Sequence, residues 1–283
     1  NYDIKRFQKF HSDLGFIKKR ITESLGDLYG MHWPYKQHKT SRDIIKTPYH
    51  EELKKSGACF GVSGGYERPM WFARDGKKAE YEYSYNYQNW YPSVEYETKN
   101  TRQNVGLFDL TPFAKFELKG ELAHSELQRI CTANVKKEIG KTTYTQMLNK
   151  DGGIEADLTI ACLNKELFRV ISSAAVRIRD KHHILKHLNP SVEFKDVSDD
   201  YACLGLFGPK SRSLITDLAG DYFKTKDFPF GTGKNIIIKG VKIWAQRLSY
   251  VGELGWELYI PMKEVYNIYK LIVEHGKKYS LCH

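Results

Sequence analysis

The stretch KTTYTQMLNKDGGIEADLTI, Lys141 to Ile160, decides the fold, and RLSYVGELGWELYIP, Arg247 to Pro261, repeats its design further along the chain. In the first, a β-rich run through Thr142, Thr143 and Tyr144 reaches a polar turn with Gly152 and Gly153, the pattern of a hairpin. The return strand alternates Ile154, Ala156 and Leu158 with Glu155, Asp157 and Thr159. Period-two geometry therefore sets the two acids on the face opposite the aliphatic side chains. In the second, Gly252 and Gly255 mark a turn or bulge between short strands, and Glu257 stands between Trp256 and Leu258 in an apolar run. An acid on a strand is ordinarily a solvent-facing residue, so placement alone gives neither a function.

The same two strings, with FPFG (Phe228 to Gly231), YERPMWF (Tyr66 to Phe72) and VGLFDLTPFAKFELKG (Val105 to Gly120), resemble the folate-binding aminomethyltransferase domain of the glycine cleavage T-protein family. The likeness is closer to the C-terminal half of dimethylglycine and sarcosine dehydrogenases. It implies an α+β fold of antiparallel sheets with flanking helices, truncated before a C-terminal β-barrel domain. It divides the chain into residues 1–47, the tail of an FAD-dependent oxidoreductase central domain with its linker, and residues 48–283, an aminomethyltransferase domain incomplete at its C-terminus. A fragment of a longer enzyme is expected.

The resemblance also assigns roles. Asp157 matches the catalytic aspartate; proton abstraction and orientation of folate with stabilisation of positive charge both stay open as its role, and partial burial would help base chemistry by raising its pKa. Glu257 matches the glutamate that anchors the pterin, its two oxygens suiting the paired N–H donors of that ring's edge. Phe113, Tyr144, Ile171 and Ser173 align with positions lining the pterin cavity, and Tyr250 stands at the mouth of the second strand; singly, each also reads as core packing. Glu155 shares the face of Asp157 and is a structural alternate. The implied cofactors are tetrahydrofolate and, in the missing N-terminal half, FAD. The implied reaction captures the iminium from N-methyl oxidation as 5,10-methylenetetrahydrofolate. Two other readings stay open: a regulatory or scaffold relative, and a folate-dependent demethylase of another substrate.

A formal net charge of +10 raises nucleic acid as a partner. The lysines are dispersed among acids, as at Glu51, Glu52, Lys54 and Lys55, and no recognised motif accompanies them, so no nucleic-acid partner is expected. Positive potential equally suits the anionic glutamate tail of a folate. No run approaches the ~18 apolar residues of a membrane span. Five scattered cysteines without CxxC spacing fit a reducing compartment, bacterial cytoplasm or mitochondrial matrix. Oligomeric state is not legible.

Elsewhere, apolar spacing predicts a helix over Ile4 to Gly26, broken at Gly15, and a short helix after Pro48 capped by Thr47. The tyrosine-rich YEYSYNYQNWYP reads as a packing surface. A helix from Trp90 to Gly106 is followed by a strand pair over Leu107 to Lys119. His183 and His187 have the spacing of a zinc pair, but no third ligand accompanies them and no metal is expected. FGVSGG and GTGK lack the spacing of dinucleotide or phosphate loops.

Overall fold

The computed structural model describes residues 7–221 and 223–283, and the chain divides into two compact units, Asn1–Tyr96 and Glu97–His283. In the first unit a short 3-10 turn (Lys9–Ser12) precedes α1 (Leu14–Leu28). Ile4 lies outside the described residues. The break falls at Asp13 rather than Gly15, because the Asp13 carboxylate accepts from Phe16 N at 2.7 Å and starts a new helix. Helix α2 (His50–Lys55) follows, with Tyr49 and not Thr47 at its N-cap; Thr47 contributes its carbonyl, which accepts from His50 N at 3.1 Å. Strands β1 (Ala58–Ser63) and β2 (Tyr66–Phe72) pair antiparallel. The buried acid of the YERPMWF motif, Glu67, is satisfied by Arg42 Nε at 2.8 Å and Asp43 N at 2.8 Å. The tyrosine-rich region packs on itself: the Tyr81 and Tyr83 rings stack at 5.8 Å, and Trp90 stands edge-on to Tyr81 at 5.0 Å.

The second unit begins within α3 (Tyr91–Gln103) and continues through β3 (Val105–Asp109), β4 (Ala114–Lys119), α4 (Ala123–Ile130), β5 (Thr142–Leu148), β6 (Ile154–Asn164), β7 (Leu167–Ser172) and α5 (Arg177–His187). Then come β8 (Glu193–Asp196), β9 (Tyr201–Phe207), α6 (Ser211–Ala219), β10 (Thr232–Ile238), β11 (Val241–Arg247), β12 (Gly255–Pro261), α7 (Val265–Gly276) and β13 (Leu281–Cys282). The strands form two sheets, in the orders β5-β6-β7-β4-β8 and β10-β11-β12-β9-β3-β13. All neighbours are antiparallel except β13, which runs parallel to β3.

The expected strand pair over Leu107 to Lys119 is not a pair. β3 and β4 belong to different sheets, and the Leu110–Phe113 turn carries the chain between them. Pro112 lacks the N–H a hairpin ladder would use, and β4 pairs with β7 and β8 instead.

Alternation along β6 builds both faces of its sheet. Ala156, Leu158, Ile160 and Cys162 point backwards into a core with Phe116, Leu118, Phe168 and Val170, closed by Leu127 of α4 and Ile184 of α5. Ala161 and Ile171 point forwards and pack with Leu110, Cys203, Phe207, Trp244 and Tyr259. That second cluster lies between the two sheets, so their front faces oppose one another. The sheets are also stitched where Gly233 N donates to Gly140 O at 2.6 Å and Thr142 N to Gly231 O at 3.0 Å. Gly140 has φ +85°, and a Cβ there would lie 2.6 Å from Gly233 O, so this crossing requires glycine.

Behind β12, fully buried Trp256 meets Phe223 edge-on at 5.4 Å and Phe228 at 6.0 Å. The FPFG string is therefore the underside of the strand that bears Glu257. Trp256→Ala is expected to destabilise the protein by about 3–5 kcal/mol, measured by urea denaturation. A loss below about 1 kcal/mol would contradict that packing role.

Candidate active site

Asp157 sits on β6 opposite Gln146 of β5, with Tyr144 and Thr159 forming the next pair on the same face. The Asp157 carboxylate lies near the Tyr144 hydroxyl, and its interaction with that group first, then burial, raises the Tyr144 pKa. Gln146 Nε2 approaches Asp157 Oδ1 at 3.5 Å, a long contact. The Tyr250 hydroxyl acts electrostatically on Tyr144. The loop between β11 and β12 thus comes down toward the end of β5 and β6 that carries Asp157. Asp157 is exposed, as are Tyr144 (66% accessible) and Tyr250 (83%). Ala156 and Leu158 take the core side of the strand, which leaves Asp157 on the open face without the partial burial that would help base chemistry. Glu155 is half-buried and accepts from Asn149 Nδ2 at 3.2 Å, a bond that ties down its own turn.

Glu257 is differently housed. On β12 it lies between Gln246 of β11 and Gly205 of β9, whose other neighbour is Phe108 of β3. Two residues on, and so on the same face, Tyr259 is buried between Trp244 and Cys203. Burial raises the Glu257 pKa, while a hydrogen bond from Tyr259 opposes the rise; Tyr259 Oη donates to Glu257 Oε2 at 2.7 Å. Gln246 is fully buried, and Trp244 Nε1 donates to its Oε1 at 3.4 Å, leaving its Nε2 without a partner.

Asp157 shares its face with Ala161, and Glu257 shares its face with Tyr259, while Ala161 and Tyr259 belong to the one inter-sheet cluster. The two carboxylates therefore stand on opposed faces at the margin of a common apolar layer. Ile171 is buried in that layer and Phe113 packs half-buried against it. Ser173 is exposed, one residue beyond the Leu158–Ser172 pair at the end of β7.

Residues beyond the sequence-derived set support these positions. Lys115, fully buried on β4, donates from Nζ to Phe113 O at 2.7 Å and Thr111 O at 2.9 Å, holding the turn that presents Phe113. Burial pulls its pKa down to about 8. Arg169, opposite Ala161, pairs with Glu117 at 2.6 Å and places its guanidinium 4.3 Å from the Tyr201 ring and 5.6 Å from the Tyr259 ring. His183 and His187 lie ring to ring at 4.6 Å, and among the described residues no third ligand joins them. The one group with metal-ligand proximity among those residues, Glu23, Asp27 and His38, is engaged otherwise, Glu23 accepting from Lys39 N at 2.7 Å and Thr40 N at 2.9 Å.

Residues 49–283 match the family model of the GCVT N-terminal domain. The chain belongs to that family. Residues 1–46 match the FAD dependent oxidoreductase central domain. Relatives of this GCVT-domain chain include "4-methylaminobutanoate oxidase (formaldehyde-forming)" of Paenarthrobacter nicotinovorans, 35% identical over 99% of the chain and 34% of that protein. The mitochondrial sarcosine dehydrogenase of Homo sapiens is 29% identical over 99% of the chain and 35% of its own length. The chain thus spans about a third of the length of these curated relatives. The glycine cleavage system aminomethyltransferase T of Bartonella henselae superposes with a TM-score of 0.67 at 22% identity, covering 81% of this chain and 57% of that one. The GCVT fold is shared with it: mixed α+β, antiparallel sheets, flanking helices. No helix among the described residues is long and apolar enough to cross a membrane.

Proposed function

We propose that this chain is the folate-binding, one-carbon-transfer part of a larger flavoenzyme that oxidises an N-methyl amine. The observation that carries the reading is the pair of strand-borne carboxylates on opposed sheet faces, Glu257 in an apolar surround and Asp157 open and flanked by Tyr144 and Tyr250. The names of the relatives agree in chemistry: 4-methylaminobutanoate and sarcosine both carry an N-methyl group. Which amine this protein uses is set outside these residues, where the flavin would bind.

The residues fit tetrahydrofolate by the chemistry of their donors and acceptors. An ionised Glu257 offers two acceptor oxygens to the adjacent ring N–H and amino group of the pterin edge. Phe113 and Ile171 supply apolar wall, Tyr144 and Tyr250 supply rings at an open rim, and Ser173 supplies a hydroxyl at the end of β7. Bound there, tetrahydrofolate supplies two nitrogens that take up the one-carbon unit as a methylene bridge as the amine departs with the electron pair of its C–N bond. Asp157 would accept the proton that the departing amine does not take and pass it to solvent. Asp157 also opposes the positive charge on the incoming carbon unit, and a covered rim would strengthen that effect by excluding water. Tyr144 holds the Asp157 carboxylate in place.

Calorimetric titration of the full-length protein with tetrahydrofolate tests this reading. Saturable binding of one equivalent is expected. No heat would remove both the transferase and the demethylase versions and leave the scaffold alternative.

A further inference from the structure

We infer that Tyr259 is a positioning residue that keeps Glu257 ionised and aimed at its ligand. The inference rests on the folate reading above and adds to it the residue that makes a carboxylate usable in so apolar a place.

A carboxylate moved out of water favours its neutral form unless a donor stabilises the anion. A neutral carboxyl is a poor partner for two adjacent N–H groups, since one of its oxygens now carries a proton. Glu257 therefore needs a donor that does not compete with the ligand. The structure provides one: Tyr259 Oη approaches from the buried side and donates to Oε2 at 2.7 Å. Its ring is fixed on all sides. Trp244 and Cys203 flank it across the sheet, and Arg169 reaches it from β7 of the opposite sheet. The Cys203 thiol is pushed well up by burial, so it adds no charge at neutral pH.

The titratable or charged groups facing this pair are few. Tyr259 lies on β12, Cys203 on β9, buried Asp109 beside Cys203 on β3, and Arg169 and Lys115 on the opposite sheet, with neutral Gln246 on β11. Besides burial, Tyr259 is the group acting on the Glu257 carboxyl. Arg169 acts on the tyrosine rather than on the acid, favouring a polarised hydroxyl. The donor on Glu257 is thus a single, replaceable oxygen.

Tyr259→Phe removes that oxygen and, with it, the interaction of the hydroxyl with the Cys203 thiol, which is neutral. Only the anion loses its donor, so the Glu257 proton affinity rises and the ionised fraction at a given pH falls. Tetrahydrofolate affinity of the full-length protein should then become pH-dependent: about tenfold weaker than wild type at pH 6, with the ratio narrowing steadily toward pH 9. In a Glu257→Gln background, where nothing ionises, Tyr259→Phe should shift affinity by less than about twofold at any pH. A ratio constant across pH, or an equal loss in the Glu257→Gln background, would show that Tyr259 only fills space and would overturn the inference while leaving the folate reading intact. Absence of tetrahydrofolate binding by the wild type would overturn both.

Discussion

Replacing Asp157 by alanine in the full-length protein is expected, on the proposed function, to leave flavin reduction by the amine within about twofold of wild type, while methylene-folate yield falls about a hundredfold and formaldehyde accumulates instead. The expectation follows from where Asp157 stands. It is on the open face of β6, away from the core built by Ala156, Leu158 and Ile160, so its loss leaves packing unchanged. On the proposed function, what disappears is the charge that would oppose the positive carbon unit and accept the leftover proton. The one-carbon unit would still form and would then meet water. Asp157→Asn should retain the Tyr144 contact, because an amide oxygen also accepts, yet fail to take the proton, and so should lie closer to alanine than to wild type in yield. Anaerobic flavin reduction followed by stopped-flow, with formaldehyde and methylene-folate quantified in the products, separates the two half-reactions. Unchanged methylene-folate yield in the alanine variant would refute the role given to Asp157.

Glu257→Gln should weaken tetrahydrofolate binding by about a hundredfold, the cost of losing a charge-assisted pair and turning an N–H donor toward an N–H donor. The fold should not suffer. Glutamine has the same size, its Oε1 still accepts from Tyr259, and a buried charge is removed. Burial raises the Glu257 pKa in the folded state, so the native protein holds this proton more firmly than the unfolded chain does. Wild-type stability relative to the variant therefore falls as pH rises from the ordinary glutamate value, about 4.3, through the raised native value, and is level beyond it. Urea midpoints measured at pH 4 and pH 8 check this. A glutamine variant that gains no stability relative to wild type between pH 4 and pH 8, or that binds tetrahydrofolate as tightly as wild type, would show that Glu257 is an ordinary strand residue.

Much of this arrangement was legible in the sequence because a strand's period is short and strict. The hairpin of Thr142 to Ile160 announces itself by glycines between alternating runs, and alternation alone put Asp157 opposite the aliphatic residues. The GCVT likeness implied the α+β class, which the structure has, and nominated the two acids. Other features depend on the register between distant strands, which spacing does not reveal. Gln246 meets Glu257 only because the loop from Leu248 to Leu254 brings β12 back antiparallel to β11 in that register. The separation of β3 from β4 was hidden because alternation continues on both sides of Pro112; the proline itself was the available sign. Tyr259 could have been found, since it stands two residues beyond Glu257 and must share its face. Lys115 could not: nothing local to FAKFEL says that its ammonium turns back onto the carbonyls of Thr111 and Phe113. The exposure of Asp157 likewise reflects what the opposite sheet leaves uncovered.

The most direct measurement is a crystal structure of the full-length protein with tetrahydrofolate. The ring edge bearing the amino group should contact Glu257 as a two-point hydrogen bond, with Tyr259 still donating to Oε2, and the reactive nitrogens should face Asp157 across the gap between the sheets. Tetrahydrofolate seated elsewhere, or touching one of these acids while the other faces bulk water, would contradict the account.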